Sequence, residues 1–333
     1  MKAIALISGG LDSTLAAQIV KDLGIELVAF NTVTPFCLCN KRDSSGCSHG
    51  ASRVASDLGL RLISLNVTDE ILEIIKSPKH GYGSNMNPCI DCRILLFKKA
   101  KQVMQEEGAA FVITGEVLGQ RPMSQRLHTM SLIEKESGLS GLVVRPLCAK
   151  CLEPTFAEKE GWINREKLLG ISGRGRKEQF SLAEEFGIND YPCPSGGCLL
   201  TDPEFAKRLK ELIQHNEFNL ENIKLLKIGR HFRLAKKAKL IVGRNEQENE
   251  QLKNLAKDND YLFMPLDIAG PTALGRGEFN DELIGFSCGI VTRYCDLNGN
   301  INAKINYLRF NDGEGKVFLS QPSKEEDIVS LRI

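Results

Sequence analysis

Ser8-Gly9-Gly10-Leu11-Asp12-Ser13-Thr14 is the first stretch of this chain whose residue types could do chemistry. Gly9 and Gly10 let the backbone come close to a phosphate, and Ser13 and Thr14 bring hydroxyls to the same point. The string follows an apolar run at residues 3–7 and precedes residues 15–23, whose apolar positions recur at helical spacing. A strand, a glycine turn and a helix start, in that order, make an anion cradle. The first N–H groups of a helix have no carbonyl behind them and point at the negative charge. No Gly-Lys-Ser/Thr follows, so the cradle is not of the Walker type.

The eleven cysteines form the second chemical set, and most of them are clustered. Cys37, Cys39 and Cys47 share a polar loop with His49, a zinc-type donor set that would stiffen the loop over the cradle. Cys89 and Cys92 form one CxxC, Cys148 and Cys151 a second, and Cys193 and Cys198 flank a Pro-Ser-Gly-Gly turn; Cys288 and Cys295 look scattered. Asn87-Pro88-Cys89 opens a predicted helix, whose start should lower the Cys89 thiol's pKa and give it thiolate character. Thiolates are what a persulfide carrier or an iron–sulfur cluster requires.

These residues need elements to position them. Strand patterns at 3–7, 26–30, 61–66, 111–114 and 142–145 alternate with helical patterns near 13–23, 50–58, 69–76 and 90–107. Such alternation predicts an α/β fold, a doubly wound parallel sheet with helices on both faces and ligands beyond the carboxyl ends of the strands. The glycine string, the Cys37–Cys47 loop, Thr114-Gly115-Glu116 and Arg145-Pro146-Leu147 all follow strands and share that edge. A proline- and glycine-rich stretch at 192–203 ends the pattern. The expected division is residues 1–200 as the nucleotide domain, a connecting helix over 201–218, and a smaller α+β domain over 219–333. In the last, strands are predicted at 224–228, 239–242 and 317–319, with a polar helix at 246–258.

Composition sets bounds. The chain has 333 residues, 42% hydrophobic and 26% charged, and its net charge is +1, so any nucleic-acid surface must be a local patch. No run of apolar residues is long enough for a membrane span and strand one follows the first residue directly, so a cytoplasmic protein is expected. Disulfides are then unlikely, which favours metal or redox roles for the clustered thiols. Lys224, Lys227, Arg230, His231, Arg233, Lys236, Lys237, Lys239 and Arg244 concentrate positive charge, and Arg174, Arg176 and Lys177 extend it. A patch of this kind would bind RNA phosphates.

SGGLDST resembles the PP-loop of ATP pyrophosphatases, the adenine nucleotide alpha hydrolase-like fold. Thr114-Gly115-Glu116-Val117-Leu118-Gly119-Gln120, Ser124-Gln125 and Arg145-Pro146-Leu147 resemble segments of tRNA 4-thiouridine synthases within it. The resemblance implies that Ser8, Gly9, Gly10, Asp12, Ser13 and Thr14 hold the pyrophosphate end of ATP, with Asp12 helping to bind Mg²⁺. It places Asn31 near the adenine, and Gly115, Glu116 and Gln120 beside the nucleotide and the target base. That family's rhodanese persulfide cysteine has no counterpart here. The CxxC plus one distant cysteine instead resembles cluster-dependent tRNA thiolases, with Cys89, Cys92 and Cys198 (or Cys193) holding a [4Fe–4S] cluster. Two alternatives stay open: Cys89 and Cys198 as nucleophile and persulfide carrier, or a zinc ribbon of Cys148, Cys151, Cys193 and Cys198. Residues 231–233 and 242–249 resemble an RNA-associated module of ribosome quality-control factors.

The implied activity is tRNA uridine thiolation. ATP would adenylate a uridine with loss of pyrophosphate. Sulfur from a cysteine desulfurase persulfide or inorganic sulfide would then displace AMP, giving 4-thiouridine or, next, 2-thiouridine. Asp12, Cys89 and Cys198 would be the catalytic residues. A PP-loop ligase or amidotransferase on a small molecule, and a non-catalytic RNA-binding factor, are the alternatives.

Overall fold

The computed structural model describes residues 1–37, 46–189, 191, 197–310 and 314–333, with only the backbone of 46–49. The chain divides into two compact units, Met1–Asp202 and Pro203–Ile333.

The first unit runs β1 (Lys2–Leu6), α1 (Leu11–Asp22), β2 (Glu26–Val33), α2 (Gly46–Asp57), β3 (Arg61–Asn66), α3 (Thr68–Lys76), α4 (Cys89–Glu106), β4 (Phe111–Thr114), α5 (Leu127–Ser137), β5 (Val143–Val144), α6 (Phe156–Lys159) and α7 (Lys177–Glu185). Its five strands are parallel in the order β3-β2-β1-β4-β5. β1 is central and buried on both faces, which is why it reads as an unbroken apolar run. Successive side chains alternate between faces. Ala3, Ala5 and Ile7 join a core layer with Leu15 and Ile19 of α1, Val54 of α2 and Ala183 of α7. Ile4 and Leu6 join the opposite layer with Ile94 and Phe97 of α4 and Ile133 of α5. The strand order reverses between β1 and β4, and the crevice beyond their carboxyl ends is where a doubly wound sheet binds ligand.

The second unit contains α8 (Pro203–Gln214), α9 (Leu220–Leu225), β6 (Arg230–Ala235), β7 (Ala238–Val242), α10 (Glu246–Leu255), β8 (Tyr261–Pro265), β9 (Ala273–Gly277), α11 (Asp281–Arg293), β10 (Ala303–Arg309), β11 (Lys316–Ser320) and α12 (Glu325–Val329). Its antiparallel sheet has the order β11-β10-β8-β9-β7-β6. The strand predicted at 224–228 is instead the end of α9 and a turn, because Asn219 caps that helix by accepting from Asn222 N–H. Among the described residues, no helix is long and apolar enough to cross a membrane.

Candidate active site

The loop after β1 enters α1 through Gly10, whose extended backbone forms the N-cap without any side-chain cap. The N–H groups of the first turn are therefore left without side-chain caps. Gly9 has φ +79°, and a Cβ there would lie 2.6 Å from the backbone carbon of Gly50, so only glycine fits this turn. The hydroxyls expected to face a phosphate turn inward: Ser13 Oγ donates to Gly10 O at 2.8 Å and Thr14 Oγ1 at 3.1 Å. Ser8 Oγ lies 3.2 Å from Ser13 Oγ. Ser8 N and Gly10 N donate to Ser13 Oγ and Ser8 Oγ at 3.3 and 3.4 Å, so the first-turn amides of α1 are what the cradle offers an anion.

Gly115 closes the crevice from the β4 side. A Cβ there would stand 2.4 Å from the Asp12 carbonyl carbon and 2.5 Å from Ser13 N, so this loop rests directly on the first turn of α1. Gln120 Nε2 donates to Asp12 Oδ2 at 3.1 Å. Arg176 donates to both oxygens of the same carboxylate, at 3.0 Å and 3.3 Å. Sequence alone groups Arg176 with the RNA patch; its partner 164 positions earlier is visible only in the folded chain. Asn31 is buried in β2, and its Nδ2 has no partner among the described residues.

Glu116 does not open onto the crevice, contrary to its expected place beside the nucleotide. It is 2% exposed and accepts from Arg93 at 2.9 and 2.5 Å and from Arg145 at 3.0 Å. Arg145 also donates to Glu134 at 2.5 Å. A carboxylate so deeply buried must be paired. Burial pushes its pKa up, but the two guanidinium groups outweigh burial and hold it below the ordinary 4.5.

The same network carries the site to the cysteines, since Arg93 follows Cys92 on α4. The segment of Cys198 is sewn to both neighbours of the CxxC. The Cys198 backbone forms an antiparallel β-bridge with that of Cys37 while its thiol is free, Leu199 N donates to Phe36 O at 2.8 Å, and Met86 N donates to Leu200 O at 3.0 Å just before α4. Cys92 and Cys89 both interact electrostatically with Cys198. The sequence places the Cys89 thiol on the acidic side, and the structure corrects that. Burial raises the Cys89 pKa despite Arg121, Arg93 and Asn87, and burial pushes Cys92 up to about 12 and Cys198 to about 11. A helix start lowers a thiol's pKa only where water can also reach the thiolate.

The zinc-type loop is also corrected. Cys37 is disulfide-bonded and so is no thiolate ligand. Cys39 lies outside the described residues, as do the Cys47 and His49 side chains. Cys193 lies outside them as well. Cys148 donates to Glu116 O and Cys151 to Gly170 O, at 3.3 and 3.2 Å, so both thiols serve the backbone rather than a ribbon. No group of three His, Cys, Asp or Glu among the described residues is arranged to hold a single metal ion.

In the second unit the basic cluster is largely self-neutralised. Lys239 is 7% exposed at its side chain and pairs with Glu211 at 3.0 Å, which removes it as an RNA contact. Arg233 pairs with Glu211 and Glu217, Lys237 with Glu278, and Arg244 with Glu248. His231 is buried. Lys224 and Lys236 are exposed, Lys227 is half-buried, and Arg230 lies 4.6 Å over the Tyr294 ring.

Residues 1–153 match the family described as thiamine biosynthesis protein (ThiI), and residues 229–332 match the NFACT protein RNA binding domain. A probable tRNA sulfurtransferase of Thermococcus kodakarensis is 27% identical over 146 residues, 44% of this chain and 36% of its own length. A tRNA-specific 2-thiouridylase of Caldanaerobacter subterraneus subsp. tengcongensis is 30% identical over 125 residues, 34% of each chain. The crystal structure of a 4-thiouridine synthetase–RNA complex with bound ATP aligns at a TM-score of 0.36 and 22% identity, covering 68% of this chain and 52% of that one. The chain thus spans about a third of the length of these curated relatives. It joins a ThiI-like domain resembling tRNA sulfurtransferases to an RNA-associated C-terminal module.

Proposed function

We propose that this protein is an ATP-dependent tRNA sulfurtransferase. The observation that carries the reading is the 116–121 loop. Gln120 touches the PP-loop carboxylate, while Arg121, the next residue, acts electrostatically on Cys89 and Cys198. One loop therefore couples a phosphate cradle to a group of thiols. Adenylation and sulfur delivery need that neighbourhood, and a ligase on a small molecule does not.

The α1 amides and Gly9-Gly10 would receive the β and γ phosphates of ATP, with Asp12 a ligand to Mg²⁺ and Asn31 near the adenine. A uridine carbonyl oxygen of tRNA attacks the α phosphate and pyrophosphate leaves, its growing charge met by preorganised N–H groups. Inorganic sulfide then bonds to the activated carbon, and AMP departs with the oxygen. Where the donor is a cysteine desulfurase persulfide passed to a protein cysteine, its outer sulfur bonds to the carbon as AMP leaves. The second of Cys89 and Cys198 then cleaves the S–S bond, ending as a disulfide and releasing the thiouridine. Position 4 of the uridine is the favoured target, with 2-thiolation the second reading. Cys89, Cys92 and Cys198 fit a [4Fe–4S] cluster by donor chemistry, being three grouped sulfurs in a half-buried setting. Such a cluster would supply an iron open to sulfide. The exposed cations of the second unit would contact tRNA phosphates, and the cytoplasm is the proposed location.

The test is anaerobic incubation with ATP, tRNA and sulfide, reading AMP release and thiouridine in digested tRNA by mass spectrometry. The expected result is tRNA-stimulated AMP formation, thiouridine, and loss of both in Asp12→Ala. AMP formation indifferent to tRNA would replace this reading with the small-molecule ligase.

A further inference from the structure

We infer that Arg176 is a two-position phosphate clamp, latched on Asp12 when the crevice is empty and released to the polyphosphate by the incoming metal–nucleotide complex. The inference rests on the reading that the cradle binds ATP.

Three observations support it. First, the Arg176 fork is bidentate on Asp12, and both side chains are about four-fifths buried, with exposures of 18% and 20%. Second, its backbone is fixed beside the crevice. Gly173 N donates to Leu118 O at 2.7 Å and Ser172 bridges Leu118, so the loop before α7 is tied to the loop after β4. Third, Arg176 is only partly satisfied. Its Nε is buried and has no partner among the described residues, and its guanidinium carbon lies 5.8 Å over the Phe180 ring, a surface it can slide on.

Charge then dictates the exchange. Arg176 uses both oxygens of the Asp12 carboxylate, so a divalent cation that takes one of them breaks the bidentate fork and repels the guanidinium charge. Displaced from Asp12, Arg176 is an almost buried cation that needs another anion. The β and γ phosphates are the anions that arrive with the metal, and a planar fork suits two of their oxygens. The clamp would thus hold pyrophosphate through its departure and return to Asp12 afterward, keeping the empty crevice closed to free cations.

Calorimetry on the full chain with Mg²⁺ and, separately, ATP, pyrophosphate and AMP tests this. Arg176→Ala should weaken ATP and pyrophosphate by about tenfold or more and leave AMP within about twofold, since AMP lacks the clamped phosphates. Arg176→Lys keeps a cation without the fork and should fall between. In EDTA, Asp12→Asn should bind pyrophosphate more tightly than wild type, and the gain should vanish in Asp12→Asn/Arg176→Ala. Equal losses for all three ligands, or none, overturn the clamp and leave the ATP reading intact. A wild-type chain that binds neither ATP nor pyrophosphate overturns both. Thermal melts of each variant separate misfolding from lost affinity, and the lysine variant decides if the alanine variant does not fold.

Discussion

Replacing Gly115 with alanine adds one methyl group at the closest approach in the crevice. The new Cβ would lie 2.4 Å from the Asp12 carbonyl carbon and 2.5 Å from both Asp12 O and Ser13 N. Gly115 is not among the glycines at positive φ, so the backbone itself would accept alanine and the penalty is purely steric. The obstructing atoms belong to the first turn of a helix and cannot rotate aside as a side chain would, so either loop or helix must retreat by about 1 Å to restore van der Waals contact. Overpacking costs about 1–3 kcal/mol, and rigid neighbours put this site near about 3 kcal/mol. In a unit of this size that lowers the melting temperature by about 6–12 °C. The atoms displaced are those of the cradle, so ATP affinity should fall by about a hundredfold, comparable to the same energy at about 1.4 kcal/mol per decade. Differential scanning fluorimetry and calorimetric titration with Mg·ATP read the two effects. Gly24→Ala is the control: φ is +77° but nothing lies within 4 Å, so it should cost stability and spare ATP binding. A Gly115→Ala protein that melts within about 2 °C of wild type and binds ATP normally would refute this account of the crevice.

The Glu116 network makes a prediction about pH. Its carboxyl pKa is depressed in the fold, so its contribution is present above the ordinary 4.5 and drains away as pH falls through the folded value. Glu116→Gln leaves Arg93 and Arg145 partly uncompensated, which should cost about 3–5 kcal/mol near neutrality and flatten the acid limb of melting temperature against pH; an unchanged acid limb would remove Glu116 from that role. Self-neutralised cations release few counterions, so tRNA affinity should depend weakly on salt. If Lys224, Arg230 and Lys236 carry the contacts, the log–log slope should be about −2 to −3, whereas the whole cluster of eight would give about −6 to −7. Filter binding from low to high salt decides between them, and Lys224→Ala/Lys236→Ala should make the slope shallower by about two.

The N-terminal sheet was legible because its strands are buried on both faces and read as apolar runs, and because Gly9-Gly10 and Gly115 punctuate strand ends where backbone meets backbone. α5 and α7 were missed, being amphipathic segments between motif loops. The second unit was read poorly for physical reasons. β9 is Ala-Leu-Gly-Arg-Gly, a weak strand by propensity, whose Gly275 makes room for Phe279 and Phe263. β10, by contrast, alternates polar and apolar residues between Asn298-Gly299 and Asp312-Gly313, turn signals that make it legible although the predicted strands leave it out. Charge misled most. Lys239 and Arg233 look like ligand-binding cations in a string of letters, and only the return of α8 with Glu211 shows them to be internal. The Cys89 thiol misled in the same way, because the helix start is visible in sequence and the burial that opposes it is not.

The carboxylates of the crevice are each paired with an arginine, and that bears on what it can bind. Asp12 is matched by Arg176, Glu116 by Arg93 and Arg145, and Glu134 by Arg145. The thiols beside them are held on the protonated side by burial. Arg121 beside the thiols is then in excess of these pairs, and with the uncapped helix amides it favours an anionic ligand. Under the proposed function, arrival of Mg·ATP would open the Asp12–Arg176 pair. In the alternative where Cys89 and Cys198 act as nucleophile and persulfide carrier and no cluster is held, burial would make both thiols poor nucleophiles until a proton is removed. Gln120 on the carboxylate and Arg121 near the thiols are neighbours in sequence, so the proposed coupling between cradle and thiols would run through this one loop.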